Sequence, residues 1–219
     1  MKKENTRPKI LEAAAELVHR NGFNHTGIQE ILDRASVPKG SFYFYFKSKE
    51  DLGLALIDHH AERIAAKAQS CFEDCFRPPL DRLRSFFRCA FERYEAQGYQ
   101  KGCPIGNLCQ EMSDLSPAFR RKLESVMERI ALGMAGVLEQ AREAGDLPPR
   151  LDPEETARFI VSSWQGALLV MKVEKSAEPL FRFERFIFDE ILSCRYRNRP
   201  PEAAEVVLNQ RDEGTEKIE

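Results

Sequence analysis

The sequence contains no apolar run close to the ~18 residues that a membrane-spanning helix requires. Its Lys-rich start leads into an amphipathic stretch and not into the apolar core of a signal peptide. The six cysteines include no Cys-x-x-Cys pair, which argues against zinc-ribbon and thioredoxin-like proteins. We therefore expect a cytoplasmic protein with free thiols, no membrane partner and no bound metal or cofactor.

The chain also has little excess of either charge. Its 33 Lys and Arg against 35 Asp and Glu give a net charge of -2, which does not by itself indicate a nucleic-acid partner. The charge is unevenly placed, because residues 1–52 hold nine basic and seven acidic residues, or +2, which leaves -4 for the remainder. This mild asymmetry favours DNA binding by the first segment without establishing it.

The segment 26–49 is the most informative part of the chain. An apolar stripe at helical spacing, from Ile28 to Ala35, stops at a corner around Ser36 and Val37, and a very short second helix begins at Pro38. This order is typical of a helix-turn-helix. The alternative is a helical hairpin with a solvated aromatic end that never touches DNA.

The same segment carries side chains suited to reading DNA. Gly40 allows close approach of the backbone, Lys39 and Ser41 can reach base edges or phosphates, and tyrosine hydroxyls can bond phosphates. Residues at the amino termini of the flanking helices can clamp the strand with help from the helix dipoles. Phe44 cannot donate a hydrogen bond and is not included. The predicted DNA contacts are Thr26, Lys39, Gly40, Ser41, Tyr43, Tyr45 and Lys49.

The first quarter of the chain resembles the amino-terminal signature of TetR-family transcriptional regulators. The resemblance rests on Arg7, Ile10, Leu11, Ala14, Leu17, Gly22, Phe23, Thr26, Ile31, Ala35, Val37, Lys39, Gly40, Ser41, Phe42, Tyr43, Tyr45, Phe46, Ser48, Lys49 and Leu52. It implies an all-α fold, with an amino-terminal three-helix helix-turn-helix domain followed by a helical sensing and dimerisation bundle. It also implies the DNA contacts named above.

Helix start and stop signals divide the rest of the chain. Ser48 with Asp51, Ser116 with Pro117, and Asp152 with Pro153 predict helix starts, and Thr6 and Thr26 are further candidate caps. We predict helices over about 49–75, 80–97, 117–144, 153–171 and 180–194, with an irregular connection around 98–106. The domains are then 1–52 for DNA binding, 53–195 for effector sensing and dimerisation, and 196–219 as a flexible tail.

The last two predicted helices carry an apolar surface that suggests a homodimer through a four-helix bundle. The alternative is that their aromatic residues fill the core of one protomer. The residues concerned are Trp164, Phe181, Phe186, Ile187, Phe188 and Ile191.

The stretch 101–117 is similar in wording to TetR-family repressors that respond to reactive electrophiles. This similarity implies that Cys103 is the reactive thiol, and Lys172 is a possible partner. Cys109 is a second candidate, and Trp164 belongs to the helix that carries Lys172. The alternatives are an ordinary buried cysteine, and non-covalent binding of an apolar molecule in a cavity lined by Phe87, Phe91, Met127 and Trp164.

These observations predict a homodimeric repressor that binds a palindromic operator and releases it on a small-molecule or electrophile signal. A cytosolic thiol-based redox enzyme is the alternative from another class. It requires a base beside a cysteine, whereas all four histidines lie at or before position 60. A helical scaffold that only dimerises is a third possibility.

Overall fold

The computed structural model describes residues 6–193 as α-helices joined by turns, with a short 3₁₀ segment, a π-helical end and no strand in that range. The predicted all-α fold is confirmed. The predicted tail 196–219 lies outside the described residues. The helices are α1 (Thr6–Asn21), α2 (Ile28–Ala35), α3 (Phe42–Tyr45), α4 (Lys49–Phe72), α5 (Pro79–Ala96), α6 (Pro104–Met112), α7 (Pro117–Glu143), α8 (Pro153–Glu174) and α9 (Glu178–Glu184).

Helices α1, α2 and α3 pack around a small apolar core, which we call the head. Ile10, Leu32 and Phe42 have no exposed surface, and Phe46 closes the core beside Phe42 with ring centroids 5.7 Å apart. The corner between α2 and α3 forms at Ser36, whose left-handed φ of 54° turns the chain and lets its N–H bond the last carbonyls of α2. A helix-turn-helix follows from these contacts.

The predicted cap of α2 by Thr26 is wrong. Gly27 occupies the N-cap and makes no side-chain bond, while Thr26 is fully buried and donates its hydroxyl to the Gly22 carbonyl at 2.7 Å. The cause is the turn after α1, where Gly22 adopts a left-handed φ of 89° and brings its carbonyl over the Thr26 hydroxyl. Thr26 thus stabilises the α1–α2 turn and not the start of α2.

Helix α4 begins inside the head and continues into the body of the molecule, which is formed by α5 to α9. The predicted cap is present, because Ser48 accepts a hydrogen bond from the Asp51 N–H at 3.0 Å. The Asp51 carboxylate accepts in turn from the Lys47 N–H at 2.9 Å. The helix ends at Phe72, slightly before the predicted end, and its 24 residues span ~36 Å at 1.5 Å per residue.

Gly53 lies where the head meets the body. The rings of Phe23 from the head and Phe119 from α7 are 5.0 Å apart beside this glycine. A Cβ at position 53 would overlap both rings, with a Phe23 ring atom at 2.6 Å. Glycine is therefore required here by close packing and not by backbone conformation.

Part of the predicted irregular connection is in fact helix α6. Pro104 occupies the first helical position, where its fixed φ and missing N–H favour a helix start. Cys103 occupies the N-cap with an extended backbone. The loop ahead of it remains irregular, because Gly98, Tyr99, Lys101 and Gly102 all have positive φ.

The apolar surface predicted for the last two helices is partly buried in the protomer and partly exposed. Helix α9 continues as a π-helix over Arg185–Ile191, which rotates successive side chains away from a single stripe. Ile187 and Phe188 are buried in the protomer, whereas Phe181 and Phe186 remain about half exposed. Across residues 6–193, no helix has both the length and the apolarity to cross a membrane.

Candidate nucleic-acid interface and sensor loop

The second part of the helix-turn-helix is a 3₁₀ turn, Lys39–Ser41, that leads directly into α3. We call residues 39–45 the recognition segment. Lys39 and Gly40 are exposed, Ser41 and Tyr45 are partly exposed, and Tyr43 has 63% of its surface exposed. A Cβ at Gly40 would meet no protein atom within 4 Å, so its backbone is open to an approaching partner.

Buried aromatic residues hold the recognition segment in place. Phe42 packs edge-on against Tyr43 at 5.2 Å between centroids, and the Arg7 guanidinium lies 5.3 Å from the Phe46 ring centroid. Since the two phenylalanines point inward, the lysine and tyrosine hydroxyl groups are left on the outside. The polar groups that sequence reasoning selected for this segment are thus accessible to DNA.

Thr26 and Lys49 are placed differently from the other predicted contacts. The Thr26 side chain is fully buried and cannot reach a phosphate in this arrangement. The predicted contact between Thr26 and a DNA strand is therefore not possible for its hydroxyl group. Lys49 donates to the Asn24 carbonyl at 3.1 Å and lies 4.8 Å from the Phe23 ring centroid. Burial lowers the pKa of Lys49, and the nearby Glu111 carboxylate opposes that shift. Lys49 therefore ties α4 to the α1–α2 turn.

Sequence reasoning missed Lys47, which is exposed immediately after the recognition segment. Its backbone N–H is fixed by Asp51, so its side chain leaves the protein at a defined point. Lys47 follows Phe46 directly. Lys39 of the 3₁₀ turn and Lys47 therefore lie on either side of Tyr43 and Tyr45 in the sequence.

Cys103 lies at the end of a loop that is unusually constrained. Tyr99 and Lys101 adopt left-handed φ angles of 57° and 70°, which non-glycine residues rarely do. The Asn107 amide donates to the Lys101 carbonyl at 2.7 Å and holds the loop over the start of α6. Residues 98–103, which we call the sensor loop, are therefore ordered by bonds to α6.

The Cys103 sulfur is the N-cap acceptor of α6. It accepts a hydrogen bond from the Gly106 N–H at 3.4 Å, and the residue is 8% exposed. This position lies at the positive end of the helix dipole. Bond formation at the sulfur would remove a cap of the helix.

Cys109 is less suited to the same role. Burial is the main cause that raises its pKa to about 11, and the nearby Cys103 adds to the shift. Cys109 therefore remains a protonated thiol near neutral pH, and the thiol is a far weaker nucleophile than the thiolate.

The structure brings Lys172 of α8 next to the sensor loop, as the sequence prediction requires. A Cβ at Gly102 would lie 2.9 Å from the Lys172 Cδ, so the lysine chain passes directly over the residue that precedes Cys103. Gly102 has φ of 71°, which together with this close approach requires glycine.

Trp164 and its predicted neighbours pack against one another in the core. The Trp164 ring lies 5.0 Å from Phe87 and is stacked at 5.8 Å on Phe91, which corrects the predicted effector cavity at these residues. A groove of about 370 Å³ lies instead between α4, α5 and α7. Its apolar lining includes Ala61, Ile64, Ala68, Phe72, Phe86, Val126, Ile130 and Met134.

Helix α6 contacts the head at both ends. Near its start, the His19 Nε2–H of α1 donates to the Gly102 carbonyl at 2.9 Å. Near its end, the Glu111 carboxylate accepts from the Phe23 N–H at 2.8 Å and from the Asn24 N–H at 2.6 Å. Sequence reasoning missed both residues, because partners more than 80 positions apart leave no local pattern.

Three histidines lie together beside this junction. The rings of His19 and His60 are 6.2 Å apart, and those of His59 and His60 are 5.6 Å apart. Burial is the first cause that lowers the pKa of His60 to about 3, followed by His19, His59 and Arg63. Burial also lowers the pKa of His19, partly offset by its bond to Gly102. Both residues are therefore neutral near pH 7.

An exposed, basic and hydroxyl-bearing recognition segment on a helix-turn-helix, joined to a helical body, defines a DNA-binding transcriptional regulator. Two family models match this chain: "Bacterial regulatory proteins, tetR family" over residues 10–56 and "Tetracyclin repressor-like, C-terminal domain" over residues 79–187. The chain belongs to the TetR family.

Individual relatives agree with this assignment. The transcriptional regulator AcuR of Cereibacter sphaeroides is 39% identical over 176 residues, or 80% of each chain. The repressor NemR of Escherichia coli is 32% identical over 180 residues, or 80% of this chain and 88% of that one. The crystal structure of reduced E. coli NemR superposes with a TM-score of 0.79 at 28% identity, covering 87% of this chain and all of the other.

The family consists of regulators and not of enzymes, so the hypothesis of a thiol redox enzyme is not supported. In the structure His19, which lies closest to the sensor loop in the cluster, donates its Nε2–H to a backbone carbonyl.

Replacing Lys39 with alanine tests the recognition segment. We expect Lys39→Ala to weaken binding to the DNA upstream of the gene about tenfold and, for a phosphate contact, to reduce the slope of log affinity against log salt by about one. Fluorescence anisotropy over a salt series measures both. Arg129→Ala, which removes an exposed charge from α7, should leave the affinity and the slope unchanged. Equal behaviour of the two variants would show that Lys39 does not contact DNA.

The histidine cluster predicts a pH-dependent stability. Because the folded pKa of His60 is about 3 and its ordinary value is 6.5, its contribution is complete above pH 6.5 and is lost as the pH falls toward 3. We expect the free energy of unfolding to fall by about 1 kcal/mol per pH unit from this residue in the middle of that window. Urea unfolding of His60→Leu should show a flatter profile, whereas His25→Leu, at an exposed position, should match the parent. A profile unchanged in His60→Leu would contradict this assignment.

Proposed function

We propose that this regulator is a repressor that binds a palindromic operator as a homodimer and leaves it when an electrophile modifies Cys103. The observation that carries the proposal is the pair of direct contacts between α6, which Cys103 caps, and the head. A change at the sulfur would therefore act on α6, which contacts the head directly. The proposed location is the cytoplasm, where the operator is found.

A single head reads little sequence. The recognition segment is only seven residues long, and a helix of this size reaches a few base pairs in one major groove. Two heads held about 34 Å apart, one turn of DNA, would read two half-sites of a palindrome. The proposal therefore requires a dimer with fixed spacing.

The exposed apolar residues of α8 and α9 support that dimer. Val173 is 79% exposed, and several large apolar neighbours are about half exposed, which is unfavourable for a surface in water. Two copies of this helix pair would cover them in a four-helix bundle. The residues are Phe159, Leu169, Val170, Val173, Phe181 and Phe186.

The proposed chemistry at Cys103 is addition to an electron-poor carbon. The thiolate forms an S–C bond with the β-carbon of an unsaturated carbonyl compound, and the α-carbon takes up a proton from water. The Lys172 side chain passes over Gly102, the residue before Cys103, and is therefore placed to contact a group added at the sulfur. NemR, whose structure is described as a reduced form, is a relative for which a redox state was distinguished.

The adduct would then displace α6. Because Cys103 is only 8% exposed, its site has no room for an added group while the sulfur stays bonded to Gly106. Movement of the start of α6 strains its bonds to His19, Phe23 and Asn24, and the modified protein favours another head position. An effector acts in this way only if the two states accommodate it differently.

The groove between α4, α5 and α7 supports a second mode of release, by non-covalent binding of an apolar molecule. Its volume of about 370 Å³ suits a small ligand, and it lies against α4, which continues into the head. This mode replaces the cavity predicted around Trp164.

Substitution of Cys103 by serine tests the sensor. Serine is a preferred N-cap residue, so Cys103→Ser should keep α6 intact. We expect N-ethylmaleimide to lower the operator affinity of the parent at least roughly tenfold and that of the variant less than about twofold. Anisotropy of labelled promoter DNA measures both, and Cys75→Ser, at an exposed cysteine, should respond like the parent. Release of DNA by Cys103→Ser at the parent's level would refute the role of this thiol.

Substitution of Glu111 tests the connection to the head. We expect Glu111→Ala to be alkylated at Cys103 as fast as the parent but to release DNA at least about fivefold less, since the α1–α2 turn is no longer bonded to α6. Intact-mass spectrometry follows alkylation and anisotropy follows release. Glu124→Ala, at an exposed carboxylate of α7, is the matched control. Full release by Glu111→Ala would show that the signal travels by another route.

A further inference from the structure

Helices α4 and α5 form an antiparallel pair in which two cysteines face each other. The rings of Phe72 and Phe86 are 5.4 Å apart, and the Arg82 Nη1 group donates to the Phe72 carbonyl at 2.5 Å. Cys71 directly precedes Phe72 on α4, and Cys89 lies one helical turn beyond Phe86 on α5. Both cysteines therefore lie beside this ring contact.

The two thiols are close enough to interact, and both residues are partly exposed. Burial is the first cause that raises the pKa of Cys71, and the adjacent Cys89 thiol contributes to the shift through a side-chain hydrogen bond. The Ser70 hydroxyl lies 4.0 Å from the Cys71 sulfur. Both cysteines are partly exposed, so a dissolved reagent can reach either sulfur.

We propose that Cys71 and Cys89 are an oxidation site that forms an intramolecular disulfide by exchange with low-molecular-weight disulfides. One thiolate attacks the reagent disulfide and releases one reagent thiol, leaving a mixed disulfide on the protein. The second thiolate then attacks that protein sulfur and releases the other reagent thiol. The protein loses two protons and two electrons in total, which the reagent gains as its two thiols form.

This pair differs in chemistry from Cys103. A carbon electrophile consumes one thiol and cannot form a disulfide, whereas a disulfide reagent requires a second thiol close enough to resolve the mixed disulfide. The pair also lies far from the head, because 22 residues separate Lys49 from Cys71 along α4, or ~33 Å. The inference rests on no part of the proposed operator function.

Peptide mapping after treatment with oxidised glutathione tests the proposal. Trypsin leaves Cys71 and Cys75 in the same peptide, so the experiment uses the full chain carrying Cys75→Ser, in which the peptide beginning at Ala68 holds Cys71 alone. We expect most of this peptide to be joined to residues 89–93, with the intact protein lighter by two hydrogens. Reduction should separate the two peptides.

The matched control is Cys89→Ser, which keeps Cys71 but removes its partner. It should accumulate the glutathione mixed disulfide at Cys71 and form no cross-link. The cross-link closes the 17 residues from 72 to 88 into a loop, so oxidised Cys75→Ser should melt roughly 5 °C above its reduced form, with no such rise in Cys89→Ser. The proposal is overturned if both thiols of Cys75→Ser carry separate glutathione groups, or if neither sulfur reacts.

Discussion

The Glu111 carboxylate, bonded to two backbone N–H groups of the α1–α2 turn, is the interaction that fixes the head on the body. A charged acceptor forms stronger hydrogen bonds than a neutral one. The opposite end of the same helix is joined to α1 through His19 and the Gly102 carbonyl. The orientation of the recognition segment thus depends on a helix of only nine residues.

The surroundings of each cysteine in this chain give its sulfur a different chemistry. Cys109 is held as a protonated thiol by its apolar surroundings, Cys103 is placed at a helix terminus, and Cys71 lies beside a second thiol. The residue type is the same in each case. The neighbouring groups decide whether a sulfur packs, caps a helix or faces a partner with which it can form a bond.

Local signals predicted much of the fold. The caps at Ser48, Ser116 and Asp152 are present because each depends on residues within three positions of the cap. The recognition segment was also predictable, since Phe42 and Phe46, one helical turn apart, are the buried residues, and the lysine, serine and tyrosines predicted to contact DNA lie close to them in sequence. The prediction for Thr26 failed because a glycine turn redirects its hydroxyl. The predicted irregular connection extended too far because α6 begins at Pro104, among glycines that are typical of loops.

The remaining features depend on contacts that no local pattern encodes. Glu111 and the α1–α2 turn are 87 and 88 positions apart, and an acidic residue on a short helix has no sequence signal of such a partner. Trp164 was a candidate effector residue because the aromatic residues of this region can line a cavity as well as fill a core. The contacts of its ring with Phe87 and Phe91 place Trp164 in the core.

Gly53 also affects how the head is held against the body. The missing side chain lets two phenylalanine rings, one from each part of the molecule, close over the helix that joins them. A single methyl group there would meet both rings and push α4 away from α7. In a symmetric pair of subunits the same shift would occur in both copies, so we expect a side chain at this position to change the distance between the two heads.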